Sequence, residues 1–499
     1  MKNFQLSFVT NKSVARWLQI LNEFEKNEIC SASHLSELTN STTRTIGKDI
    51  GYLNEYFGEL VRISSTNLGY CFELFDYACY EQQKASFLAN EPLFILLENI
   101  FIGELKSIDE WADHFYLSKA TLLKYLQRVR KQLIHFDLEL ANDPVNIIGN
   151  EADIRNFFCT FFYETDITPH TVFPSIAVQQ AVKEISGLFD KSSYHTASFS
   201  QYSYILYISI ERFLRGETVL IKDELHHALR HSIQLMHYQR INEVIRRYFH
   251  FYFTSDEIIF LFVSIITKRK LQEVIVEQKF CLSYNHWPEI GELTNSFYQL
   301  LEMKSTGKSK KNDLILIESF FTMAKLKECL STSANRNIND VNEFIQDTFS
   351  KEFYTYKCFL ENNKFYQLMF SEEYLVDFCA NLVIYIEAVR ERYWFPQKNI
   401  AFIFEGNNNI VQYIEGWSKR YFGHAHQLYY PDSGEVNAEY IMQKNIDLLV
   451  TNYAEHAADF RDIVECIFFK TIPTSADWNR LIDRINPNVT RQFALKDLL

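Results

Sequence analysis

The stretch SIDEWADHFYLSKATLLKYLQRVRKQL, residues 107–133, decides the fold of the N-terminal third of this chain. A short segment runs to a break at Tyr116-Leu117, and a longer one follows in which Leu122, Leu126, Val129 and Leu133 recur at i, i+4, i+7 and i+11. That spacing is one apolar stripe of a helix, so the stretch reads as helix, turn, helix. At about 100° of rotation per residue, Lys124, Arg128 and Lys131 fall opposite the stripe, with Thr121 beside them. Residues 118–133 hold five Lys or Arg and no acid, although the chain as a whole carries a formal charge of −13. One face packs and the other is cationic.

The same outline stands 76 residues upstream in SASHLSELTNSTTRTIGKDIGYLNEYFG, residues 31–58. Leu35 and Leu38 lie on a short helix, Asn40-Ser41 form the turn, and Ile46, Ile50, Leu53 and Phe57 make the stripe of a second helix. Thr45 aligns with Thr121. VRISSTNLGYCFEL (61–74) follows as a hairpin wing, and LELANDPVNIIG (138–149) is its β-like counterpart after the second copy. An internal repeat is the economical explanation. Where such a recognition helix enters a major groove, its N-terminal residues meet base edges and its flanks meet phosphates. The reading positions are therefore Thr42, Thr43, Arg44 and Lys48 in the first copy and Ser118, Lys119, Lys124 and Tyr125 in the second. Thr121, Lys124, Arg128 and Lys131 supply the outward cationic face, while the first copy presents the mixed set Lys48, Tyr52 and Glu55.

With 47% hydrophobic and 23% charged residues, the 499-residue chain has enough apolar surface for several packed cores. Only 14 Gly and 9 Pro favour long helices over turns. The nine cysteines are scattered and never spaced CxxC, which indicates neither a disulfide framework nor a zinc ribbon. MKNFQLSFVTNKS lacks the apolar centre of a signal peptide. The longest apolar run, Ile258–Ile266, is far short of the roughly 20 residues of a spanning helix. A soluble cytoplasmic protein with no membrane contact is expected. Its acidic balance confines any nucleic-acid contact to a local basic surface.

From about 168 to 395 the chain reads as successive amphipathic helices, interrupted by EMKSTGKSKKND (302–313) as a loop or linker. FTSDEIIFLFVSI (253–265) echoes FSEEYLVDFCANL (370–382), which suggests two related helical bundles. His226, His227, His231, His237 and His250 cluster in the first, and His227 and His231 stand one turn apart, but no third ligand has helical spacing, so no metal is expected. From Asn399 strand-like and helical segments alternate, as in a small α/β domain with a parallel sheet. The loop after its first strand holds Glu405 and lacks a glycine-rich cradle, so no cofactor or phosphate site is expected there, and a protein contact is.

A winged helix-turn-helix, a second one running into IIGNEADIRNFF (147–158), two helical bundles and an α/β tail together resemble the Mga/AtxA-type transcription regulators of Gram-positive bacteria. The resemblance spans essentially the whole chain and is most specific at SKATLLKYL (118–126) and IIGNEADIRNFF. It implies a mainly α, multidomain protein: winged helix-turn-helix 1 (1–76), an Mga-like helix-turn-helix 2 (77–165), helical regulation domains (166–287 and 288–396), and an enzyme IIB-like α/β domain (397–499). It further implies double-stranded DNA as partner and control, usually activation, of surface, virulence or carbohydrate genes. Oligomerisation, as a homodimer or larger, is expected through the C-terminal domain.

In such regulation domains a phosphorylatable His stands seven residues before an Arg, and another seven after the Glu of an acidic pair. Counting from Arg212, Glu257 and Glu373, those positions hold Ile205, Ser264 and Ala380. Phe404-Glu405 stands where enzyme IIB proteins carry a phosphocysteine. Regulation by a phosphocarrier protein of the sugar phosphotransferase system would therefore use displaced histidines such as His195, His231 or His250. No catalytic residue is expected. The rival readings are a phosphocarrier or phosphotransferase component, disfavoured by the missing His and Cys, and an RNA-binding antiterminator, disfavoured because residues 1–60 read as helices.

Overall fold

The helix Lys12–Lys26, started by the Asn11 side chain, buries Leu18, Leu21 and Phe24 and opens the first winged unit. In the computed structural model, which describes residues 3–187, 198–229, 240–301, 310–394 and 397–485, it is followed by helices Ala32–Leu38 and Thr43–Phe57. Strands β1 (Ile29–Cys30), β2 (Val61–Thr66) and β3 (Gly69–Leu74) form an antiparallel sheet in the order β1-β3-β2, with Ile63 opposite Phe72. Gly69 has φ +139°, and a Cβ there would lie 2.4 Å from the Cys30 carbonyl oxygen, so only glycine lets β3 approach β1 so closely.

The second unit repeats the first at the expected offset. Helices Pro92–Ile102, Ile108–His114 and Lys119–Ile134 precede the hairpin β4 (Glu139–Asn142) and β5 (Val145–Ile148). The N-caps Ser31 and Thr42 correspond to Ser107 and Ser118, and each side chain accepts a backbone N–H of its helix. Asn40 (φ 47°) and Tyr116 (φ 55°) take the same left-handed turn conformation. Leu35, Ile46 and Leu53 are fully buried, as are their counterparts Trp111, Leu122 and Val129. The repeat is thus present in caps, turns and packing alike.

The two cores differ in their continuity. That of the first unit is a separate cluster, from Ile20 to Phe72, completed by Tyr80 of the following helix Tyr77–Ser86. The stripe Leu122, Leu126, Val129 and Leu133 instead belongs to one large core with Phe157, Leu206 and Leu261 of the helices that follow. The second recognition helix is therefore braced by the helical body.

That body contains helices Glu151–Tyr163, Phe199–Leu214, Ser255–Ile266 and Lys310–Leu330. Three of them are joined by buried charges. Arg155 donates to Glu257 at 2.6 and 2.9 Å and to Glu151 at 2.8 Å, and Arg212 donates to Glu151 at 2.6 and 3.0 Å. Ile258–Ile266 is entirely inside, and no described helix is long and apolar enough to cross a membrane. The linker expected at 302–313 is corrected at its end: residues 310–313 are the first turn of Lys310–Leu330, because Asp313, polar in sequence, is buried there. Residues 302–309 lie outside the described residues.

By contact density the chain divides into Met1–Ile386 and Glu387–Leu499. Within the second unit, β6 (Asn399–Ile403), β7 (Gln427–Tyr429), β8 (Leu448–Thr451) and β9 (Glu465–Phe468) form a parallel sheet in the order β7-β6-β8-β9. Alternation along β6 sends Ile400 and Phe402 to the core shared with helices Asn408–Phe422 and Ser475–Ile485. Ala401 and Ile403 go to the opposite core, with Ile441 and Phe460. Helices thus cover both faces, the small α/β architecture expected from the alternating pattern. At the end of β6 the Glu405 N–H donates to Asn452 Oδ1 at 2.8 Å, and Asn452 Nδ2 donates back to the Glu405 carbonyl at 2.7 Å. These mutual bonds occupy the crevice beyond the strands where such folds take ligands.

Candidate nucleic-acid interface

Each recognition helix begins with a cap whose hydroxyl is already engaged. Thr42 accepts from the Thr45 N–H and lies 2.9 Å from the Thr45 hydroxyl, and Ser118 does the same with Thr121 at 2.8 Å. These residues fix where the helix starts. Of the reading positions on the first helix Thr43, Arg44 and Lys48 face solvent, and Tyr52 and Glu55 are exposed further along it. Arg44 and Lys48 stand one turn apart, and the neighbouring Gly47 and Gly51 are also exposed, which keeps the surface around the two cations low. Asp49 adds no negative charge to it, being buried and held by Arg16 at 2.5 and 2.9 Å and by Trp17 Nε1 at 2.7 Å.

On the second helix Lys119 and Lys124 are exposed, and Lys124 is the counterpart of Lys48. Lys119 pairs with Asp109 at 2.8 Å, a surface contact that a phosphate can displace at a cost of about 0–1 kcal/mol. Thr121 and Tyr125 are half-buried. Arg128 departs from the outward orientation expected from helical rotation. Its guanidinium donates to the Val9 carbonyl, because the N-terminal segment lies alongside the helix. Lys131 is exposed and lines a cleft of about 560 Å³ with Arg128, Lys12 and the turn Thr39–Ser41 of the first unit. The exposed cations of the second helix thus fall into two groups, Lys119 and Lys124 at its start and Lys131 in the cleft.

Sequence periodicity missed three positions. Lys12 joins the cleft from a helix 116 residues before Arg128. Arg130 holds the second wing by donating to Asn142 Oδ1 at 2.5 Å. Arg62 stands exposed on the first wing, 3.6 Å from Glu73. Only Arg62 had a local signal, a basic residue in a hairpin following a recognition helix. Of the histidines, His250 is exposed in a left-handed helix end, and His226 lies 3.1 Å from Asp256. His195 and His231 lie outside the described residues. No metal-binding group of three His, Cys, Asp or Glu occurs among the described residues.

Tyr116 is 97% exposed although its φ is 55°. Left-handed backbone costs a non-glycine residue about 1–2 kcal/mol, and glycine's entropy gives back about half of that. Tyr116→Gly is therefore expected to keep or raise the thermal midpoint, whereas Tyr116→Val should lower it.

Two winged helix-turn-helix units in tandem, with basic side chains on both recognition helices, define the class as a nucleic-acid-reading head on a helical body. Residues 81–162 match the Mga helix-turn-helix domain. A putative trans-acting regulator of Streptococcus pneumoniae serotype 4 is 33% identical over 156 residues, which is 31% of this chain and 31% of that protein. The capsule synthesis positive regulator AcpB of Bacillus anthracis is 23% identical over 456 residues, 86% of this chain and 92% of its own. AcpA of the same organism, also a capsule synthesis positive regulator, is 20% identical over 236 residues. The match thus spans under a third of the pneumococcal protein and about half of AcpA. Residues 81–162 thus carry a Mga helix-turn-helix domain, and the chain is similar to these regulators.

Proposed function

We propose that the protein is a DNA-binding transcription regulator, acting as an activator, whose two recognition helices lie on one duplex. The observation that carries this is the pair of equivalent exposed lysines, Lys48 and Lys124, each on the outer face of a capped helix in a winged unit. Thr43, Arg44 and Lys119 flank them where base edges and phosphates meet such a helix. AcpB and AcpA, named as positive regulators, support the activating sign and surface or capsule genes as the target class. The five-part domain division, oligomerisation through residues 397–499 and a phosphocarrier partner acting on His195, His231 or His250 belong to the same reading.

The test is fluorescence anisotropy of the full chain on labelled duplex DNA, challenged with unlabelled duplex and with hairpin RNA. Duplex is expected to compete and RNA to leave the signal intact. Competition by RNA alone would turn the assignment to the antiterminator class. Molar mass with and without residues 398–499 tests the oligomer separately, and an assembly that survives truncation moves the interface elsewhere.

A further inference from the structure

A cavity of about 380 Å³ lies among helices Glu151–Tyr163, Phe199–Leu214, Ser255–Ile266 and Lys310–Leu330, within the size range of small-molecule sites. Ile205, Ile208, Phe260 and Met323 give it an apolar wall. The rest is strongly cationic: Arg155, Lys268, Arg269, Lys327 and Arg336 line it against the single carboxylate Glu164. Four of these cations are matched. Arg155 has Glu151 and Glu257, Arg269 has Glu277, Arg336 has Asp137 at 2.7 Å, and Lys268 has Glu164 at 2.6 Å.

Lys327 is not matched. It has no hydrogen-bond or ion-pair partner among the described residues, although it sits beside Lys268. Burial, and then Lys268, push it down to about 8 against the pull of Glu164, so it is still mainly an ammonium at neutral pH. The Ser264 hydroxyl, on the same wall, likewise has no partner. Lys327 is half-buried and its nearest carboxylate, Glu164, is already taken by Lys268, so the excess positive charge is costly and an incoming anion removes that cost. Two ammonium groups facing one carboxylate favour a dianion over a single carboxylate. A phosphate has enough acceptor oxygens to meet both lysines and the hydroxyl together.

We propose that this cavity binds a small organic phosphate monoester, its phosphate held by Lys327, Lys268 and Ser264 and its carbon body lying on Ile205, Ile208 and Phe260. The proposal is independent of DNA binding, since a chain that binds no duplex tests it equally well.

Isothermal calorimetry on the full chain, with glucose 6-phosphate and glycerol 3-phosphate as probes, is the experiment. At least one is expected to bind, glucose to give no heat, and inorganic phosphate to compete. Lys327→Met should weaken binding by about 10-fold or more, the loss of a charge-assisted contact. This variant is expected to fold, because it removes a half-buried charge that has no ion pair of its own and keeps the stem volume. Ser264→Ala, which deletes one oxygen, should weaken binding by a smaller factor and gives an independent reading. Failure of both probes to bind, or undiminished affinity in Lys327→Met and Ser264→Ala, overturns the site. Glutarate displacing the phosphates as well as they displace each other overturns the phosphate assignment.

Discussion

Glu257→Ala is expected to lower stability by about 3–5 kcal/mol, read as an earlier urea midpoint for loss of helical circular dichroism. Glu257 is fully buried and accepts from Arg155 twice and from the Val219 N–H at 3.1 Å. Truncation leaves the Arg155 guanidinium, itself 2% exposed, with the Glu217 carbonyl at 3.1 Å and a single carboxylate, Glu151, which is already engaged by Arg212. Two guanidinium groups would then draw chiefly on one carboxylate. Glu257→Gln keeps the shape and some hydrogen bonding, so its cost should be smaller. The double variant Arg155→Met with Glu257→Met should recover much of the loss, because replacing a buried pair by apolar volume avoids the uncompensated charge that makes the single change severe. A double variant no better than the single would show that packing dominates the site.

The pair was half legible in the sequence. Arg212 and Glu257 stood out as fixed points for counting, yet nothing in their spacing indicated that Glu151 and Arg155 complete the network, because all four come from three helices separated by intervening chain. The winged units were far more legible. Their stripes obey the 3.6-residue period, and their caps and turns are set by neighbours within a few residues, so the offset of 76 carries over from Ser31 and Ser107 to Asn40 and Tyr116. Contacts made across the chain escaped. Arg128 looked free because Val9, its acceptor, is 119 residues away, and residues 310–313 looked like linker because Asp313 is polar. The cavity around Lys327 is likewise assembled from helices that no local pattern connects.

Replacing both Lys48 and Lys124 by Ala should weaken binding to every duplex sequence by on the order of 50-fold at about 0.1 M salt, and make the salt dependence shallower by about 1.8, at about 0.9 per phosphate contact. Both side chains are exposed and lie 76 residues apart at the same position of the repeat, so they meet equivalent sites if both units lie on one duplex. Neither anchors the fold, and the helical circular dichroism should be unchanged. The single variants separate the alternatives. Equal, additive losses require two DNA-bound units. A loss confined to Lys124→Ala would leave the first unit, with its separate core, free for another role, and would place the whole phosphate contact on the helix braced by the body. Sequence-dependent losses, in which some duplexes are spared, would make these lysines base-reading residues, since a phosphate contact weakens all sequences alike.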